Sequence, residues 1–308
     1  MNPIQLRNQY PDFLGADALP VLEEVFKSEY EMHPSRREML FKVVPTTRDI
    51  WQASEMHDMP LFSEVQEGED YSFERPKQGA NKTLVVKKYG LGLALSEELV
   101  DDGKLDFAAD GVRKLARSGK ESQELAAMAI FNGAFDSVTS NDGQYLCDTD
   151  HALPSGGTYR NELSTSADLS VTSLDQALAD FETQFVGDSG IIERIMPKIL
   201  LVHSSQRRYA MELVGSDLKP DTSDNNMNSL KGEGLIVVSS PHLTDTDAWF
   251  LLSDKQDHGL RIVSRKPMET KAAGPDVGFL SDSLLYKSRY REIIGVTHAK
   301  GIFGSPGA

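Results

Sequence analysis

Three short stretches carry residue types that could do chemistry. Gly187-Asp188-Ser189-Gly190 has the composition of a serine nucleophile loop, in which a histidine base, oriented by a buried aspartate, activates the hydroxyl. No histidine stands in the matching upstream context, and a single cysteine excludes the disulfides of that protease type. The tetrapeptide also falls between a helical pattern and a Pro-preceded strand, so a plain turn is expected. Cys147-Asp148-Thr149-Asp150-His151 offers thiolate, carboxylate and imidazole within five residues, types that ligate zinc or iron. No second His/Cys cluster completes a tetrahedral site, and nothing electropositive in the sequence favours a Cys147 thiolate paired with His151. A hydrogen-bonded loop Asp-His is the expectation there. The glycines of Gly90-Leu91-Gly92-Leu93-Ala94 do not match a dinucleotide fingerprint, and close strand packing accounts for them. No catalytic, cofactor-binding or metal-ligating residue is assigned. A soluble hydrolase or metal-dependent enzyme centred on 147–151 and 187–190 stands as the rival reading.

The remaining chemistry is charge. Residues 54–90 begin with seven acids, Glu55, Asp58, Glu64, Glu67, Glu69, Asp70 and Glu74, and continue with five bases, Arg75, Lys77, Lys82, Lys87 and Lys88. Turn-prone residues 76–82 lie between two β-capable runs, 71–73 and 83–86, which predicts a long hairpin with one acidic and one basic arm. It holds too little apolar material to stand alone, since isolated two-stranded ribbons are marginal in water. Glu64, Glu67, Glu69, Asp70, Arg75, Lys77, Lys82, Lys87 and Lys88 are therefore the candidate assembly contacts, because complementary charge fixes register and choice of partner.

The elements that position these groups follow from periodicity. Leu19, Leu22, Val25, Phe26 and Tyr30 have helical spacing over 16–31, and a short strand closes at Pro45. From 105 to 132 the positions Leu105, Ala108, Val112, Leu115, Gly119, Ser122, Ala126 and Ala129 alternate steps of three and four, which predicts the longest helix of the chain. A second helix runs through Leu174, Leu178, Phe181 and Phe185, with Thr172 or Ser173 as its N-cap, and a third covers 205–214. A helix is expected to start at Ser96-Glu97-Glu98. Strands are predicted at 198–202, 235–239, 249–252, 260–263 and 286–296, and residues 136–172 and 215–234 are predicted loops, the latter mobile. The class is α+β.

Composition bounds the rest. The 308 residues allow one large domain or two modest ones, and 39% apolar content suffices for a core. Nothing approaches the roughly 20 apolar residues of a membrane span, and the start of the chain lacks a signal-peptide pattern, so a soluble, intracellular protein without a membrane partner is expected. A net charge of -15 has the wrong sign for gripping phosphate backbones.

The order of elements resembles the Hong Kong 97-type fold of tailed-phage major capsid proteins, and most nearly the Mu-like major head subunit group. The resembling text comprises Ala127 to Phe135, Asp142-Gly143, Thr149 to His151, Asn161 to Leu163, Pro197 to Val202, Val237 to Leu243 with Trp249, and Leu285 to Arg291. The resemblance implies an N-terminal arm and first strand at 1–53, an extended hairpin loop at 54–90 and a peripheral domain at 91–170, with a spine helix at about 105–132. It further implies an axial domain at 171–265 and a second peripheral part at 266–308. The implied function is a structural head protein whose hexameric and pentameric capsomers form an icosahedral virion shell, assembled in the bacterial host cytoplasm and enclosing double-stranded DNA without specific binding. Expected partners are further copies of the chain, a separate scaffolding protein, a portal and head-completion proteins. An encapsulin-like compartment of the same fold is the alternative.

Overall fold

The computed structural model describes residues 18–56, 59–75, 78–96, 105–153, 156–187, 189–217, 227–273 and 283–308. In chain order the elements are helices α1 (Ala18–Met32) and α2 (Arg37–Leu40), then strands β1 (Lys42–Pro45), β2 (Ile50–Met56), β3 (Gln78–Val85) and β4 (Lys87–Ser96). Helix α3 (Leu105–Asn132), β5 (His151–Ala152), β6 (Thr158–Tyr159), α4 (Val171–Gln184), β7 (Ile199–His203) and α5 (Arg207–Gly215) follow. The chain closes with β8 (Ile236–Ser240), β9 (Trp249–Leu252), β10 (Leu260–Ala273), β11 (Ser283–Val296) and β12 (Ile302–Ser305). Of the helix start expected at Ser96-Glu97-Glu98, Ser96 is the last residue of β4, and Glu97 and Glu98 lie outside the described residues.

A first sheet of order β1-β10-β11-β4 carries α3 on one face. Strands β10 and β11 form a long antiparallel pair, and β4 is the sheet edge. On the covered face, Leu22 and Phe26 of α1 pack with Val112, Leu115 and Ala116 of α3 and with Tyr286 of β11. The first turns of α3 bury the stripe that spacing predicts. Beyond Gly119 the buried face instead runs through Lys120, Gln123, Glu124, Ala127, Met128 and Phe131, while Ser122 and Ala129 are exposed. The polar members are tolerated because each has a partner. Tyr30 Oη donates to Gln123 at 2.6 Å, Ser35 Oγ donates to Glu124 at 2.9 Å, and Lys120 Nζ lies 4.6 Å from the Tyr30 ring centre. Glu29 accepts from Arg117 Nε at 2.7 Å, so α1 is fastened to the long helix of its own chain.

The second sheet, of order β12-β9-β7-β8, supports α4 and α5. Strand β7 runs parallel to β8 and antiparallel to β9. Ser170, not Thr172 or Ser173, is the N-cap of α4, and Ser173 completes a reciprocal capping box with it. Strand β12, unforeseen in the sequence, pairs antiparallel with β9 and is wholly buried. The tract 215–234 departs from a simple loop. Asn228 donates to the Leu213 carbonyl at 2.6 Å and caps a 3-10 turn over Ser229–Glu233, which buries Leu230. Residues 218–226 lie outside the described residues.

The two sheets share one core. Phe131 and Met128 of α3 meet Phe250, Leu252, Leu201, Ile302, Leu260 and Val296, so the long helix joins both layers.

Candidate assembly surface

Strands β2 and β3 form a two-stranded antiparallel ribbon, pairing Ile50 with Val85, Gln52 with Thr83 and Ser54 with Asn81. The turn expected at 76–82 is therefore strand from Gln78 onward, and Tyr71 to Phe73 form none. Strand pairing at the start of β2, combined with burial of Leu84, Val86 and Val263 against Trp51 and Ile293, decides the register at the root. Local charge does not.

Beyond the paired strands, residues 59–75 make an extended tip. Phe62 is 104% and Phe73 90% exposed, and Leu61 and Tyr71 are exposed beside them. Met59, Leu61, Phe62, Val65, Tyr71 and Phe73 line an open cup of about 580 Å³. A contiguous apolar surface of this kind, edged with acids, marks an interaction site.

The predicted contact residues separate into three groups. Glu64, Glu67, Glu69, Asp70 and Arg75 are all exposed on the tip. Lys82 lies on β3 and turns to the body, donating to the Thr139 and Ser140 carbonyls. Lys87 and Lys88 stand on β4, opposite Glu292 and Arg291 of β11. Lys77 lies outside the described residues. Two opposed charged arms are thus not formed among the described residues: Glu64, Glu67, Glu69, Asp70 and Arg75 share the tip beyond the paired strands, whereas Lys82 lies on β3 and Lys87 and Lys88 belong to the first sheet. Sequence reasoning missed the bare aromatics of the tip; Phe62 and Phe73 in a run too polar for a core were the available signal.

The supposed chemical sites are structural. Cys147 is buried, and burial, with Glu162 and Asp148 nearby, raises its thiol pKa well above the ordinary value. His151 is buried with Nδ1 2.6 Å from Asp142 and Nε2 3.0 Å from Asn161. A loop Asp-His contact is present, but with Asp142 and not with a neighbour in the cluster. Burial pushes the Asp142 carboxyl up, and hydrogen bonds from His151 and Ser140 outweigh it, holding the pKa below its usual value. Around Ser189 the chain turns: Gly190 N–H donates to the Gly187 carbonyl at 3.0 Å and Gly187 N–H to the Ile191 carbonyl at 2.7 Å. Among the described residues no group of three or more His, Cys, Asp or Glu side chains is placed to hold a metal ion. No helix among them is long and apolar enough to cross a membrane.

Comparison with known proteins supplies the remaining observation. Residues 80–304 match the family described as phage capsid protein. No curated protein matches the chain in sequence. Among solved structures, the bacteriophage JBD30 capsid superposes with a TM-score of 0.51 at 11% identity, over 88% of this chain and 65% of that one. This chain therefore spans about 65% of the JBD30 subunit's length. The capsid of cyanophage P-SCSP1u gives a TM-score of 0.57 at 12% identity, covering 89% of this chain and 88% of that chain. A virus-like particle from Pyrococcus furiosus gives 0.52 at 12% identity, covering 92% and 97%. At these identities the likeness is one of fold.

Proposed function

Because the chain belongs to the phage capsid protein family and has the α+β fold of Hong Kong 97-type capsid proteins, we propose that it is the major head subunit of a Mu-like tailed phage. It is a structural, self-assembling protein and not an enzyme. In the proposed assembly, hexamers and pentamers close into an icosahedral head around double-stranded DNA, with a separate scaffolding protein, a portal and head-completion proteins as partners. The extended loop corresponds to about 54–90 and the peripheral domain, with α3 as its spine, to about 91–170 plus 266–308, whose last strand crosses to the other sheet. The axial domain corresponds to about 171–265.

The observation that carries this reading is the tip, where Phe62 and Phe73 have no cover among the described residues of their own chain. Covering them on an adjacent copy turns an unfavourable exposure into an interface, and repetition around a ring sums many modest contacts into a stable shell. Electron microscopy of the expressed chain should show rings, tubes or closed shells. Replacing Glu64, Glu67 and Glu69 by Gln should lower particle yield while leaving the melting of the free subunit unchanged. A chain that stays monomeric at every concentration would refute the reading.

The likeness to the Pyrococcus furiosus virus-like particle, 97% of whose chain is covered, favours a second reading, a compartment shell of the same fold. Particles that co-purify with a cargo protein and no nucleic acid would select it.

A further inference from the structure

We infer that the cleft between α1, α2 and the helix-covered side of β1 and β10 docks a basic peptide segment of another protein, with an apolar side chain against the sheet and a Lys or Arg at the acidic mouth. The inference stands apart from the capsid reading, since it involves neither the ribbon nor a contact between copies of the chain.

The cleft holds about 670 Å³, comparable with pockets that enclose small ligands. Its position follows from the sheet. Strand β1 is an edge of only 4 residues beside the 14 of β10. Residues directly opposite one another in a sheet project to the same side, so Val43 and its partner Ile262 share one face. Helix α1 packs farther along that face, on Tyr286 and Met268, and leaves Val43 50% exposed beside a buried Ile262. Arg37, only 7% exposed, lines the floor and donates Nη1 to Glu292 at 2.7 Å. Its Nε is buried with no acceptor among the described residues, an unfavourable and uncommon state for a donor. Glu292 faces that one guanidinium, and burial outweighs it, which raises the carboxyl pKa and leaves attraction there for a second cation. At the mouth, exposed Glu23, Glu31 and Glu38 stand with a single base, Lys27. Glu269, the remaining acid of the lining, is held by Arg289 at 3.0 Å.

Three requirements name the occupant: an acceptor for a buried N–H, positive charge for the acids, and apolar surface for the wall of Val43 and Ile262. A peptide meets all three, with a main-chain carbonyl for Arg37 Nε, a Lys or Arg head for the mouth, and an aliphatic or aromatic side chain for the sheet. A polyamine brings no acceptor, and a hydrocarbon leaves Arg37 unsatisfied. Nucleic acid is repelled by the mouth. The net charge of -15 attracts a basic partner from a distance, and the local acids fix where it settles.

Selection of random peptides on the immobilised chain, followed by fluorescence anisotropy of the enriched peptides, tests this. The enriched peptides should combine Lys or Arg with an aliphatic or aromatic residue. Glu31→Lys with Glu38→Lys reverses the mouth at two exposed positions and should weaken their binding at least about tenfold. Asp175→Lys with Glu182→Lys, the same charge change at exposed positions of α4, should leave it within about twofold. Arg37→Lys keeps a cation beside Glu292 and deletes the Nε donor; it too should weaken binding about tenfold, with thermal melting as the control for folding. If that variant does not fold, the reversed mouth decides alone. Enrichment of peptides without a base, binding that survives the reversed mouth, or an equal loss in the α4 variant overturns the inference. Self-association that disappears with the reversed mouth while no peptide is enriched also overturns it, and assigns the cleft to a second copy. A chain that binds such peptides but never assembles overturns the capsid reading and leaves this inference standing.

Discussion

Lys82 of the ribbon donates its ammonium to Thr139 of the body, 2.9 Å from the carbonyl oxygen and 3.2 Å from the hydroxyl. The Ser140 carbonyl, at 3.0 Å, takes the remaining proton, so all three donors of the ammonium are used. Burial lowers the Lys82 pKa, with the nearby Asp142 carboxylate working the other way. The ribbon is therefore pinned at its root and free at its tip.

Lys82→Met keeps the stem and removes the three bonds. Hydrogen bonds to charged groups contribute about 1.5–3 kcal/mol, and partial exposure places the expected loss near the lower end, about 1.5 kcal/mol. Urea denaturation of the free subunit measures it, and an unchanged midpoint would show that water already shares the site. Lys82→Arg should recover part of the loss.

Arg37 and Glu292 form a second tie, Nη1 to Oε1 at 2.7 Å, with both side chains nearly buried. Burial raises the Glu292 pKa, and Arg37 beside it only partly offsets that. Removing one partner from such a pair strands a buried charge, so Arg37→Met alone should cost about 3–5 kcal/mol. Replacing both, Arg37→Met with Glu292→Met, should recover most of that loss. A double-mutant cycle in urea distinguishes this from simple additivity, which would mean that the two side chains do not act as a pair.

The helices were legible where apolar spacing and burial coincide, as in α4 and the first half of α3. Past Gly119 the apolar stripe misled, because Lys120, Gln123 and Glu124 occupy the buried side and are satisfied by Tyr30 and Ser35 from elsewhere in the chain. Partners more than 80 residues away leave no local trace. The ribbon was legible as a polar excursion but not in its register, which Leu84, Val86 and Trp51 set by packing under Val263. Strand β12 gave no alternation, since all four of its residues are buried and two are Gly and Ser. Lys287, Arg289 and Arg291 form a period-two pattern legible along β11, but only the pairing with β4 and β10 brings Lys88, Lys266 and Lys271 beside them.

Two histidines predict the acid limb of stability. Burial, with Arg261 and His298 adding positive charge, pushes the His258 pKa down to about 3. Burial, with Arg261 and Lys300, pushes His298 down to about 4. Both are neutral in the folded chain at pH values where the unfolded chain has taken up a proton. Their contribution is full above about pH 6.5 and is lost as pH falls toward 4, each costing about 1.4 kcal/mol per pH unit well below 6.5. Urea midpoints of the subunit should therefore drop steeply between pH 6 and 4.5. Replacing both by Asn should flatten that limb; parallel pH profiles for variant and parent would refute the assignment.

Glu162 acts in the opposite direction. Burial first, and the negative charge of Asp148 second, push its carboxyl up to about 7. The folded chain holds a proton there that the unfolded chain releases near its ordinary value of 4.5. The benefit is thus present below pH 4.5 and is lost as pH rises through 7, after which an ionised Glu162 faces Asp148 at a cost. Glu162→Gln should accordingly raise stability at pH 8 and leave it almost unchanged at pH 5. Because the side chain is partly exposed, solvent screening limits the gain to about 1 kcal/mol, or a melting shift of about 2 °C in a chain of this size. An equal shift at both pH values would mean that packing and not charge is responsible. With the histidines limiting the acid side and Glu162 the alkaline side, maximal subunit stability should fall near pH 6.5, and removing Glu162 should move that maximum upward.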